Sequence, residues 1–120
     1  MNYRLSALGI SLVAIALLSL SAGCAVASEV TKIPPGSLVV DVRTPREFSR
    51  WHYPGALNIP VSEIERHAVK LGDKDRPIIV YCRSGNRSTT AKRILQNAGF
   101  TQVLNGGGLR DMKPLAPPEN

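Results

Sequence analysis

Cysteine, histidine and aromatic side chains are scarce in this chain, and each shortage closes off a class of function. The sequence holds two cysteines, Cys24 and Cys82, and two histidines, His52 and His67. Neither histidine has a cysteine or a second histidine at ligand spacing, so neither a metal site nor a cofactor is expected. The two cysteines supply no disulfide framework, and none is possible if Cys24 leaves with a leader segment. Aromatic residues make up 5% of the chain, and the 15 Lys and Arg are scattered against 9 Asp and Glu without aromatics interleaved. That pattern does not suit a nucleic-acid surface; the basic excess serves solubility and a local attraction for small anions. No internal repeat is visible, and at 120 residues a second folded domain has no room.

What is present begins with an uncharged run. Between Arg4 and Glu29 the stretch Leu5 to Ser28 carries no charged side chain, the pattern of a signal-peptide core leading to a cleavage site. Ala25-Val26-Ala27 is the A-x-A signature, which puts the cut before Ser28. Residues 1–27 are therefore expected to be a signal peptide, 28–113 the folded domain, and 114–120, with three prolines, a flexible tail. Two alternatives attach the chain to the membrane. Ser21-Ala22-Gly23-Cys24 resembles the lipobox of bacterial lipoproteins, with Ser21 where Leu, Ile or Val is usual, and the uncharged run is also long enough to span a bilayer uncleaved. With Arg4 on the cytoplasmic side, all three options place Cys82 in the periplasm. If Cys24 is removed, Cys82 is the one thiol in a disulfide-forming compartment, either inert and buried or reactive.

Its setting favours reactive. Ile78-Ile79-Val80-Tyr81 is an apolar, largely β-branched run that predicts a strand buried on both faces, and it stops at Cys82. After a small, polar and basic loop, Ser88 to Ala98 has apolar residues at 91, 94, 95 and 98, one helical face, with Gly99 placed to cap it. Strand, short loop and helix thus bring loop amides and a helix N-terminus, with Arg83 and Arg87, around one thiol. These favour the thiolate, which is the nucleophile, without a histidine base, and the same cradle would hold an anionic substrate. Gly85 suits a position of positive φ and Asn86 tolerates one, so the loop can curl with its amides inward.

The rest of the chain supplies a frame. Pro34-Pro35-Gly36 marks a bend before Ser37 to Arg43, a second buried-strand pattern. Thr44-Pro45-Arg46-Glu47 combines an N-cap, proline at the first helical position and an acid at N3, which predicts a short helix to about Trp51. Asp41 and Arg43 then lie at a strand's C-terminal end, where an Arg43–Glu47 contact or an Asp41 bond to backbone would shape the edge. His52 is expected as a hydrogen-bonded structural residue and His67 on the flank of a surface helix. Ala56 to Ile59 is a brief strand ended by Pro60. Ser62-Glu63-Ile64-Glu65 reads as another capping box, opening a helix of roughly ten residues whose apolar positions are Val61, Ile64, Ala68 and Leu71. Phe100 to Asn105 is a last strand. Gly106-Gly107-Gly108 matches no nucleotide-binding fingerprint and is expected to let backbone pack closely near the Cys82 loop.

Taken in order, Asp41-Val42-Arg43-Thr44-Pro45-Arg46-Glu47-Phe48, His52-Tyr53-Pro54-Gly55-Ala56-Leu57-Asn58-Ile59-Pro60, Tyr81-Cys82-Arg83-Ser84-Gly85-Asn86-Arg87-Ser88 and Gly106-Gly107-Gly108-Leu109 resemble a single-domain rhodanese from about Leu38 to Met112. The likeness is greatest to the short exported thiosulfate sulfurtransferases of the phage-shock type. It implies an α/β, rhodanese-like fold with a central, mostly parallel β-sheet of four to five short strands flanked by helices. It implies Cys82 as catalytic nucleophile, with the backbone amides of Arg83, Ser84, Gly85, Asn86, Arg87 and Ser88 as the cradle. Arg83 and Arg87 would orient the donor, and Asp41 and Arg43 would shape the pocket. The partners implied are a small anionic sulfur donor such as thiosulfate and a cyanide or thiol acceptor, with a Cys82 persulfide between them and ping-pong kinetics. Two positions depart from the pattern. Many relatives carry a tryptophan shortly after the glycines, where this chain has Asp111-Met112-Lys113, and Tyr53 stands where Ile or Val is common. Two other functions are open to the same residues: cysteine-phosphatase chemistry, for which Cys82-x4-Arg87 is one residue short of Cys-x5-Arg, and a non-catalytic anion- or partner-binding module, for which the intact Cys82 is unusual.

Overall fold

The two apolar runs become neighbouring strands. In the computed structural model, which describes residues 26–119, β1 (Leu38–Asp41) and β3 (Ile78–Tyr81) run parallel, with Leu38 opposite Ile78 and Asp41 opposite Tyr81. The short β2 (Leu57–Asn58) pairs with β1, and β4 (Val103–Asn105) pairs with β3. The sheet therefore has four strands in the order β2-β1-β3-β4, all parallel. Its helical connections are α1 (Pro45–Arg50), α2 (Ile64–His67) and α3 (Asn86–Asn97), with α4 (Leu109–Met112) after the last strand.

Side chains alternate across a strand, so a parallel sheet covered on both faces needs two apolar sets. On one face Val40, Val42, Ile78, Val80 and Cys82 pack with Ile64, Ala68 and Leu71 and with Ala91 and Leu95 of α3. On the other, Val39, Ile79 and Tyr81 pack with Val30 and Met112, flanked by Trp51, Tyr53, Leu109 and Leu115. Every residue of β3 is buried. The alternation puts the Cys82 side chain on the α3 face, in line with Ile78 and Val80.

The local signals hold at α1. Thr44 caps it, Glu47 closes the box and Pro45 takes the first turn. At the end of α3 Gly99 adopts φ +97, its N–H donates to the Gln96 carbonyl and the Phe100 N–H to that of Leu95, the paired bonds of a Schellman cap. The expectation for Ser62 fails. The Val61 N–H still donates to the Val42 carbonyl, extending the β1 edge, and the Glu63 N–H closes a turn on Pro60. The helix cannot begin before Ile64, Ser62 caps nothing, and the element is one α-turn continued as a 3-10 turn over Ala68–Leu71. At its other end α3 begins at Asn86, earlier than the apolar spacing from Ser88 indicated. Past Met112 the chain stays packed through a 3-10 turn over Lys113–Leu115, where the Leu115 carbonyl accepts the Tyr53 hydroxyl. The leader read over Leu5 to Ser28, with Cys24, lies almost wholly outside the described residues. Among the described residues no helix is long and apolar enough to cross a membrane.

Candidate active site

In the order β2-β1-β3-β4 the direction of winding reverses between β1 and β3, and the crevice at the C-terminal ends of such strands is where open α/β sheets gather ligands. Cys82 leaves β3 at that point with 1% of its surface exposed. The Gly85 N–H donates to Sγ at 3.0 Å, and the Ser88 hydroxyl lies 3.5 Å away. Burial pushes the thiol pKa up, but the Ser88 hydroxyl and the amides of Ser88, Ser84 and Gly85 outweigh it, leaving the thiol below its ordinary value. Gly85 reaches this geometry with φ +94 and is also the residue before α3, so the helix N-terminus faces the sulfur. Asn86 does not share the left-handed conformation; it opens the helix.

The glycine triplet braces the loop from β4. The Cys82 N–H donates to the Gly107 carbonyl at 3.0 Å, and the Leu109 N–H donates to the Arg83 carbonyl at 3.3 Å. A Cβ on Gly108 would overlap the Arg83 carbonyl, so this crossing needs glycine. Asn105, whose side chain the sequence left without a role, ties the layers together. Its Oδ1 accepts from the Ser88 hydroxyl at 2.7 Å and the Gly107 N–H at 2.8 Å, while Nδ2 donates to Thr89 Oγ1 and the Gly85 carbonyl. The signal for it was a polar residue ending an apolar strand immediately before glycines. Ser88 has one proton and three acceptors in reach: Asn105 Oδ1, the Gly85 carbonyl at 3.0 Å and Sγ. The shortest contact is to Asn105, so the amides are the firmer donors to the sulfur.

The expected Asp41 bond to backbone forms, to the Arg43 N–H, but the arginines pair differently from the sequence expectation. Arg43 does not meet Glu47. It turns back on Asp41, with Nε 2.9 Å from Oδ1 and Nη2 2.6 Å from Oδ2, both side chains buried, and Asp41 Oδ1 also accepts the Arg43 N–H. Burial would lower the Arg43 pKa, but the Asp41 carboxylate holds it above its ordinary value. The same guanidinium donates to the Trp51 carbonyl at 2.6 Å and lies 5.7 Å from the Tyr81 ring centre, so the pair fixes the end of α1 against β3. Glu47 instead binds Arg87, Nη1 to Oε2 at 2.8 Å and Nη2 to Oε1 at 2.9 Å. That fork, with the Thr44 bonds, overcomes burial and lowers the Glu47 pKa to about 2. A bidentate pair thus ties α1 to the first turn of α3.

Of the residues singled out in sequence, Cys82, Gly85 and Ser88 meet around the sulfur, Arg87 is held by Glu47, and Asp41 and Arg43 sit at the neighbouring strand end. Arg83, Ser84 and Asn86 are exposed at the rim. A contact not foreseen comes from the N-terminal side: the Val26 N–H donates to the Ser84 carbonyl, and the Glu29 carboxylate accepts the Asn105 N–H at 2.6 Å while pairing with Lys92. His52 is structural, with Nδ1 2.9 Å from the Phe48 carbonyl and its ring stacked on Phe48.

Comparison with known proteins gives one family and one fold. Residues 27–110 match the model of the rhodanese-like domain. The chain is 45% identical over 74 residues to the thiosulfate sulfurtransferase PspE of Escherichia coli, covering 61% of this chain and 71% of that protein. It is 39% identical over 87 residues to a sulfurtransferase of Allochromatium vinosum, covering 68% of this chain and 80% of the other. Among solved structures, a rhodanese with anions from E. coli superposes with a TM-score of 0.63 at 39% identity, covering 68% of this chain and 94% of that one.

Proposed function

The chain belongs to the rhodanese-like domain family, and on that premise we propose that it is a sulfurtransferase moving a sulfane sulfur from thiosulfate or a similar donor to cyanide or a thiol through a Cys82 persulfide. The Cys82 thiolate attacks the outer sulfur of thiosulfate. A Sγ–S bond forms, the donor S–S bond breaks, and sulfite leaves with the electron pair. The added sulfur carries the negative charge, which the inward-facing amides of the loop stabilise. An acceptor nucleophile then takes that sulfur, and the electron pair of the Sγ–S bond returns to Sγ as the thiolate. Arg83, at the rim, draws the anionic donor in, and Arg87, paired with Glu47, holds the first turn of α3 against α1 behind the loop.

The observation that carries this reading is the sulfur's surroundings: a buried Sγ that accepts the Gly85 N–H at 3.0 Å in a site whose net effect is to depress its pKa. Sulfur chemistry is favoured over phosphate chemistry by the shorter Cys82-x4-Arg87 loop and by the engagement of both Arg87 nitrogens with Glu47, which leaves no free fork for phosphate oxygens. The run from Leu5 to Ser28, ending in Ala25-Val26-Ala27, supports export and work in the periplasm. The test is steady-state thiocyanate formation from thiosulfate and cyanide. Parallel double-reciprocal lines that vanish in Cys82→Ser are expected, with no phosphate released from p-nitrophenyl phosphate. Turnover surviving in Cys82→Ser, or phosphate release, would overturn the reading.

A further inference from the structure

Beside the active loop lies a cleft of roughly 360 Å³ whose walls include Arg50, Trp51, Arg83, Leu109 and Lys113. Three of these are cations, and among the described residues none of the three stands in an ion pair. The one acid in the wall, Glu47, is already neutralised by Arg87. The cleft is therefore net positive. It adjoins the active loop, because Arg83 lines it, follows Cys82 directly in the chain, and holds the Leu109 N–H with its carbonyl. Its aromatic wall is fixed: Trp51 is half-buried, Arg43 bonds its carbonyl at 2.6 Å, and the Lys113 ammonium lies 5.4 Å from its ring centre.

An inorganic donor such as thiosulfate has no use for an indole wall or for this much room. Cations beside an aromatic surface suit an organic anion. Resting on the sulfurtransferase reading above, we infer that this cleft selects the acceptor: a small organic thiol bearing carboxylates, with Trp51 against its carbon skeleton and Arg50, Arg83 and Lys113 drawing its charge. Trp51 thereby supplies, from the end of α1, an aromatic wall in a chain that has Asp111-Met112-Lys113 after its glycines. In the transfer step the acceptor thiol passes its proton to the anionic outer sulfur of the Cys82 persulfide and, as the thiolate, attacks that sulfur. The new S–S bond forms on the acceptor, the Sγ–S bond breaks, its electron pair stays on Sγ, and the acceptor leaves as a hydropersulfide carrying the proton.

The test starts from protein loaded with thiosulfate and freed of excess donor, mixed in a single turnover with mercaptosuccinate, 2-mercaptoethanol or cysteamine. Rates of sulfur removal are compared at equal thiolate concentration. Three unpaired rim cations, each worth about a two- to fivefold preference, give mercaptosuccinate an advantage over 2-mercaptoethanol of about tenfold to a hundredfold at low salt. Arg50→Gln and Lys113→Gln should each cut that ratio about two- to fivefold, and high salt should erase it. Equal rates for the three thiols, or a ratio that neither substitution moves, would overturn the inference. A second readout does not depend on the persulfide. Trp51 is the sole tryptophan, so the S-methyl thioether of mercaptosuccinate should change its fluorescence saturably in unloaded protein, more weakly in Lys113→Gln, and the thioether of 2-mercaptoethanol should not. Equal response to both thioethers would overturn the cleft's anion preference. Failure of thiosulfate to load Cys82 would instead strike the sulfurtransferase reading.

Discussion

Glu47→Gln perturbs the brace of the active loop without changing its shape. The carboxylate caps α1 through Thr44 and receives both Arg87 nitrogens at 2.8 and 2.9 Å. Pairing takes its pKa from the ordinary 4.5 to about 2, which by linkage sets a ceiling of about 3 kcal/mol. The side chains are 26% and 35% exposed for Glu47 and Arg87, so solvent screening reduces the contribution to about 1–2 kcal/mol. Because the folded-state pKa is depressed, this stability is fully present above the ordinary value of 4.5 and is lost as the pH falls toward about 2. Urea unfolding of wild type and Glu47→Gln across that range should show a difference of about 1–2 kcal/mol near neutrality that closes in acid. Glutamine still accepts the Thr44 bonds, so loss of the cap should add little. A difference that stays constant with pH, or no difference near neutrality, would refute the assignment of this pair as the brace.

Three further outcomes follow from named contacts. Asp41→Ala leaves the buried Arg43 guanidinium without its carboxylate and should cost ~3–5 kcal/mol, measured by denaturant unfolding. Gly108→Ala drives a methyl group against the Arg83 carbonyl, and the forced shift should cost ~1–3 kcal/mol and slow Cys82 alkylation by misplacing the loop. Alkylation of wild-type Cys82 by iodoacetamide should persist below the ordinary thiol range; in Ser88→Ala, which removes one contribution that lowers the pKa, the midpoint should move up. An unmoved midpoint would mean that the hydroxyl gives its proton wholly to Asn105.

Much of this arrangement was legible because it is local. The buried-strand patterns at Ser37 to Arg43 and Ile78 to Tyr81, the Thr44-Pro45-Arg46-Glu47 box and Gly99 each declare their element within a few residues, and the strand-loop-helix around Cys82 follows from them. What escaped was set by contacts across the sheet. Glu47 reaches Arg87, 40 positions away, and not Arg43, because Arg43 turns back on Asp41 to shield its charge in the core. Ser62 lost its capping role to the Val61 bond on Val42, which no pattern near Ser62 announces. Asn105 read as the end of a strand, yet its side chain joins Ser88, Thr89, Gly85 and Gly107. Polar residues of this kind depend on which strands lie side by side, and periodicity does not carry that information.

The central claim is that Cys82 carries the transferred sulfur, and the intact mass of the reduced protein after exposure to thiosulfate tests it most directly. The account predicts a gain of one sulfur atom that cyanide removes and that Cys82→Ser never acquires. Reduced, folded protein that gains no sulfur, or a Cys82→Ser variant that gains it as well, would contradict it.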